Sequence, residues 1–80
     1  MRDRIIRLIS KIKDDTSLTD ALDGSSHLVN DLGLDSLQLI NLILLVEEEF
    51  SVEVDFNSFQ IDHLSSLDRF TAYVAGLPRA

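Results

Sequence analysis

From Leu37 to Phe50 the apolar residues divide between two sides of one helix. At about 100° per residue, Leu39, Leu42, Ile43, Val46 and Phe50 form one continuous stripe. Leu37, Ile40 and Leu44 gather on another side with Ser36, Asn41, Glu47 and Glu48, and Leu45 lies between the two. A stripe that wide needs other helices to cover it. The second side mixes large apolar residues with carboxylates, which suits either a core packed on two sides or a contact surface. Asp35 and Ser36 stand at the start of the pattern, and both residue types accept hydrogen bonds from the free N–H groups of a helix entrance.

The flanking segments supply the cover. Ile5, Leu8, Ile9 and Ile12 fall at helical spacing and predict a first helix over residues 3–12, with the basic residues mostly off the stripe. Residues 14–33 are rich in Asp, Ser, Thr and Gly and form a long connection. Leu18, Leu22, Leu28 and Val29 recur along it and are expected to pin it to the helices, with a short helical turn after Thr19. Val52 and Val54 alternate within residues 51–55, but one isolated strand makes no sheet, so this stretch reads as loop. Phe56, Phe59, Ile61 and Leu64 are expected to anchor it, with a short helix near residues 61–64. A last helix, capped by Ser65 or Ser66, turns Leu67, Phe70 and Val74 inward, with Tyr73 and Leu77 beside them, and stops at Gly76 and Pro78. The predicted architecture is all-α, a small bundle of three main helices and one short helix with a long first loop. Residues 1–80 read as one domain.

Composition narrows the functions. A chain of 80 residues has little room for an enclosed active site. Cysteine is absent, which excludes a disulfide scaffold, thiolate metal sites and any thiol borne by the protein itself. The formal net charge is −7, and beyond Lys13 only Arg69 and Arg79 are basic. Such a body repels nucleic acid and favours basic protein surfaces, although charge also serves solubility. The longest apolar run, residues 42–46, is far too short for a membrane span. Arg2, Asp3, Arg4 and Arg7 interrupt any signal-peptide segment, and a cytoplasmic location is expected. A membrane-surface role for the basic first helix is disfavoured by the acidic remainder. His27 and His63 stand alone, with no visible triad, and read as surface or capping residues. Residues 20–24 and 30–35 lack the alternating ligands of a calcium loop. No catalytic or metal-binding residue is therefore expected.

Ser36 is the residue of chemical interest. It precedes the apolar stripe, so it should be exposed, and Gly33 lets the chain turn sharply before it. The positive end of a helix favours an anion there. Taken alone it could be a plain helix cap, the triple glutamate a solvated face, and Leu37, Ile40 and Leu44 core. The ordered combination is more specific: Asp31-Leu32-Gly33-Leu34-Asp35-Ser36-Leu37, then Leu39, Leu42 and Val46, then Glu47-Glu48-Glu49-Phe50. This pattern resembles the acyl carrier proteins over nearly all of the chain, most strongly across residues 31–54.

The resemblance implies a stand-alone four-helix bundle of acyl-carrier type, in which Ser36 carries a 4′-phosphopantetheine arm from coenzyme A, flanked by Asp35 and Leu37. The arm holds acyl groups as thioesters and supplies the missing thiol. It further implies a monomer without catalysis of its own. Its partners would be a phosphopantetheinyl transferase and acyl- or aminoacyl-loading enzymes, synthases and transferases with basic docking surfaces. Matching acidic positions are Asp35, Glu47, Glu48 and Glu53, and the docking face adds Ile40, Asn41 and Leu44. Departures from fatty-acid carriers are Gln38 and Asn41 in place of acids, the greasy Leu44-Leu45, and a longer stretch over residues 55–64. They favour a specialised acyl, polyketide or aminoacyl pathway over housekeeping fatty-acid synthesis. Phe56, Phe59 and Leu44 could line a cargo groove or serve as core. The alternative is a helical adaptor that binds partners unmodified through the Ser36 face.

Overall fold

A computed structural model of the chain describes residues 1–15 and 17–80, and the side chains of residues 19 and 20 lie outside that description. The chain is all-helical. Helix α1 spans Arg2–Lys13, the single turn α2 Leu18–Ala21, α3 Ser36–Phe50 and α4 Leu67–Ala75, with a 3-10 turn at Ile61–Leu64. No strand forms among the described residues, and Val52 makes an isolated antiparallel bridge to Arg79. α1 packs against α2, α3 and α4, and the 3-10 turn packs against α4.

The two-sided pattern of α3 resolves clearly. Leu42, Ile43 and Val46 are buried, and Leu39 and Phe50 are partly buried against the core. All of these but Ile43 share one core with Ile5, Leu8 and Ile9 of α1 and Leu67, Phe70 and Val74 of α4. Leu28, Leu32 and Leu34 bring the long first loop into the same core. Apolar burial on this scale is the main force holding three helices together.

Several expectations change. Ile6 joins the buried set although it lies off the predicted α1 stripe. Val29 is exposed and does not pin the loop; Leu28 is fully buried instead. Phe56 is 61% exposed and Ile61 82% exposed, so neither anchors the segment, which is held by Phe59 and Leu64. Gly76 ends α4 at φ −92°, without the left-handed turn that glycine favours. The left-handed caps are Asp14 after α1 (φ 52°) and Ser51 after α3 (φ 53°). The α2 turn begins at Leu18, slightly before the expected position.

The start of α4 finds acceptors for the N–H groups of its first three residues. Leu67 N–H donates to Ser26 C=O at 2.8 Å, and Asp68 N–H to Gly24 C=O at 2.9 Å. Arg69 N–H donates to Ser66 Oγ at 3.0 Å, which makes Ser66 the cap. The long loop thus supplies two acceptors that the helix lacks. Its own turn is drawn by Asp23, whose Oδ1 accepts from Ser25 N–H at 2.9 Å and Ser25 Oγ–H at 2.7 Å.

Candidate functional site

The entrance to α3 differs from that of α4. Asp35 is the cap: its Oδ1 accepts from Gln38 N–H at 2.8 Å, and Gln38 Oε1 accepts from Asp35 N–H at 3.1 Å. This reciprocal capping box relieves Ser36, the first residue of α3, of any capping duty. Leu39 N–H closes on Asp35 C=O at 2.9 Å. Among the described residues, the N–H groups of Ser36 and Leu37 have no acceptor, and neither does the Ser36 hydroxyl. Both residues are exposed, Leu37 to 67%. Two open N–H groups, an open hydroxyl and the positive end of a helix therefore coincide. Gly33 precedes this point at φ 69°, the left-handed conformation expected of it, with open space around it.

Beside Ser36 runs an open groove of about 600 Å³. Val29, Leu34, Leu39, Ile61 and Leu64 give it an apolar lining, and Ser36 is one of its lining residues. His27 also lines it, through a ring that serves as a cap: Nδ1 accepts from Val29 N–H at 3.1 Å and Asn30 N–H at 3.0 Å. His63 caps the 3-10 turn in the same way, accepting from Gln60 N–H at 3.0 Å. Both histidines thus take the capping role expected of them. The groove itself was not legible in the sequence, because it depends on the path of the long loop.

None of the three residues considered for a cargo groove lines this one. Phe59 packs edge-on to Tyr73 at 5.3 Å, and Phe56 points to solvent. Leu44 belongs to a separate surface groove of about 370 Å³ between α1 and α3, with Lys11, Ile12 and Asn41.

The proposed docking residues are only partly brought together. Ile40 and Leu44 are 49% and 54% exposed, and with Leu37 they form a ridge along the outer side of α3, where Asn41 and Glu48 are also exposed. Glu47 is half-buried, and its Oε2 accepts from Val54 N–H at 3.0 Å, so this carboxylate organises the loop after α3. Glu53 lies beyond the helix, its N–H held by Pro78 C=O at 3.0 Å. Glu49, outside the expected set, pairs with Arg4 at 2.7 Å, and the Arg4 guanidinium sits 4.7 Å from the centre of the Phe50 ring.

Comparison with known proteins gives a consistent assignment. A family model described as "Phosphopantetheine attachment site" matches residues 5–74. The chain is 34% identical over 80 residues to the mitochondrial acyl carrier protein of Neurospora crassa, covering 96% of this chain and 55% of that protein. It is 30% identical over 80 residues to acyl carrier protein 2, mitochondrial, of Arabidopsis thaliana, covering 98% of this chain and 59% of that protein. Against the acyl carrier protein of Campylobacter fetus it is 33% identical over 60 residues, covering 75% of each. The chain thus spans little more than half the length of the two mitochondrial relatives. The cofactor of the matched family is phosphopantetheine. On the family match and these relatives together, the chain belongs to the acyl carrier protein family.

Proposed function

We propose that this chain is a carrier whose Ser36 bears 4′-phosphopantetheine and which delivers acyl groups to partner enzymes. The observation that carries this reading is the unfilled entrance of α3. The N–H groups of Ser36 and Leu37 lack acceptors among the described residues, whereas those of Leu67 and Asp68, the first two residues of α4, are filled. A phosphodiester on Ser36 Oγ places anionic oxygens where such donors and the helix dipole favour them. The residues therefore fit the group: Ser36 offers the oxygen, Ser36 and Leu37 the N–H donors, and Asp35 fixes the geometry through its cap on Gln38. When bound, the arm supplies the thiol on which acyl groups are held as thioesters. The protein's part is to present the arm, and the apolar groove beside Ser36 offers cover to a hydrophobic cargo.

The all-helical arrangement supports a small four-helix bundle of acyl-carrier type, read as one domain over residues 1–80 and acting as a monomer without a catalytic site. Its partners are a phosphopantetheinyl transferase and acyl- or aminoacyl-loading enzymes, synthases and transferases. The Leu37–Ile40–Leu44 ridge, with few acids beside it, supports service to a specialised acyl, polyketide or aminoacyl route. A cytoplasmic location stands beside a mitochondrial one, the location named for the relatives of Neurospora crassa and Arabidopsis thaliana.

The test is the intact mass of the purified protein before and after incubation with coenzyme A and a broad-specificity phosphopantetheinyl transferase. The expected result is a gain of one phosphopantetheine that is lost in Ser36→Ala. Because the Leu37–Ile40–Leu44 ridge equally suits an unmodified adaptor, no mass gain on a folded protein would favour that second reading.

A further inference from the structure

Most of the chain's cations, Arg2, Arg4, Arg7, Lys11 and Lys13, lie within residues 2–13, on a body of net charge −7. Arg2 pairs with Asp68 at 3.1 Å and Arg4 with Glu49 at 2.7 Å. Arg7 and Lys11 are exposed and have no carboxylate partner among the described residues. Residues four apart are neighbours on one helix face, about 5–6 Å between Cβ atoms. The two cations thus form a row, and with Arg4, Leu8 and Glu49 they line a groove of about 330 Å³. Lys11 also lines the groove of about 370 Å³ between α1 and α3, where half-buried Ile12 and Leu45 and exposed Leu44 give an apolar floor. On the α3 side that groove carries Asn41 and Glu48.

We propose that this pair of grooves docks an acidic amphipathic helix of a partner protein. Its apolar side chains would cover Ile12, Leu44 and Leu45, and carboxylates four residues apart would meet Arg7 and Lys11. Guanidinium and ammonium groups take carboxylates in charge-assisted hydrogen bonds. The net negative charge of the chain does not forbid this. Fields are screened beyond about 8 Å at physiological salt, so the charges within the groove decide. Glu48 repels acids on the α3 side, which obliges the partner to turn its carboxylates toward α1. A membrane surface fits less well, because the apolar face of α1, Ile5, Leu8 and Ile9, is buried and has nothing left to insert. Ser36 and Glu49 lie toward opposite ends of α3, about 20 Å apart along its axis, so a helix over Arg7 and Lys11 leaves the serine open. This partner is opposite in charge to the basic enzymes expected at α3, and the inference does not depend on the carrier reading.

The test uses the full, unmodified chain and two fluorescein-labelled synthetic helices that share one leucine seam. Glutamates four residues apart flank the seam in one, and lysines replace them in the other. Fluorescence anisotropy at physiological salt should show the glutamate helix binding about fivefold more tightly, the worth of two exposed ion pairs. Amide NMR shifts should centre on Arg7, Lys11, Ile12 and Leu45. The double variant Arg7→Glu, Lys11→Glu should reverse the preference. The milder Arg7→Gln, Lys11→Gln should abolish it, and serves alone if the reversal disturbs α1. Preference of the native chain for the lysine helix overturns the inference, as does binding of neither helix or a preference unchanged in both variants. Shifts confined to the Ser36 entrance also overturn it. If phosphatidylglycerol vesicles move the α1 amides and the glutamate helix does not, the surface belongs to a membrane. If the same amides shift with protein concentration alone, a second copy fills the groove and the proposal fails.

Discussion

Asp35 and Gln38 each hold the other's backbone N–H, and Ser36 stands between them with its hydroxyl uncommitted. The acid beside the serine therefore acts first as the cap of α3. Asp35→Ala should cost about 1 kcal/mol of stability, and Asp35→Asn only a few tenths, because asparagine caps almost as well. Urea denaturation of both variants checks this. Equal losses would mean that the carboxylate charge, and not the cap, supports the helix.

Leu42 and Leu44 are close in sequence and opposite in environment, one fully buried and the other about half exposed. Leu42→Ala should cost about 2–5 kcal/mol, and Leu44→Ala no more than about 0.5 kcal/mol. The same Leu44→Ala should nonetheless weaken binding to a loading enzyme. Comparable losses of stability in the two variants would place Leu44 in the core and remove the ridge.

A ridge of leucine and isoleucine with neutral Gln38 and Asn41 nearby carries little charge. Partner affinity should therefore fall more gently with added salt than for a carrier with acids at those positions, since screening acts on exposed charges. Dissociation constants across a salt series give the slope. A steep decline would return the docking energy to Glu48 and its neighbours.

The Asp23 carboxyl is held below its ordinary range, chiefly by the Ser25 hydroxyl and next by the Ser25 N–H. A depressed folded-state value stabilises the fold above the unfolded value of about 3.9, and that contribution disappears as pH falls through the folded value. Ser25→Ala should raise Asp23 toward the ordinary range and shrink its share of acid-sensitive stability. Carboxyl NMR titration reads the change directly. An unmoved Asp23 midpoint would show that the hydroxyl bond is absent in solution.

Ser51 ends α3 in the left-handed region, at φ 53°. A side chain there is strained by about 1–2 kcal/mol, offset in part by the chain entropy that glycine loses on folding. Ser51→Gly should therefore raise stability by up to about 1 kcal/mol, seen as a higher Tm. A lower Tm would mean that the serine side chain contributes more than its conformation costs.

The sequence was most legible where one helix face meets a core. Leu42, Ile43 and Val46, like Leu67, Phe70 and Val74, were placed correctly because periodicity reports burial directly. The start of α3 was legible too, since Asp and Ser are entrance residues, although only the structure divides the work between Asp35 as cap and Ser36 as free hydroxyl. Loop residues were read less well. Val29 and Ile61 face a groove made by two turns far apart in sequence, and nothing local distinguishes such a residue from an anchor. Ser51 and Asp14 took the left-handed positions without glycine, so the usual marker was missing.

The two carbonyls that Gly24 and Ser26 lend to α4 bear on the order of assembly. A nine-residue helix is too short to persist on its own. Its first turn becomes complete only when a loop made much earlier in synthesis is already in place. Lengthening or nicking that loop should therefore unravel α4 before it disturbs α1 or α3, and local hydrogen-exchange rates would record the sequence of events.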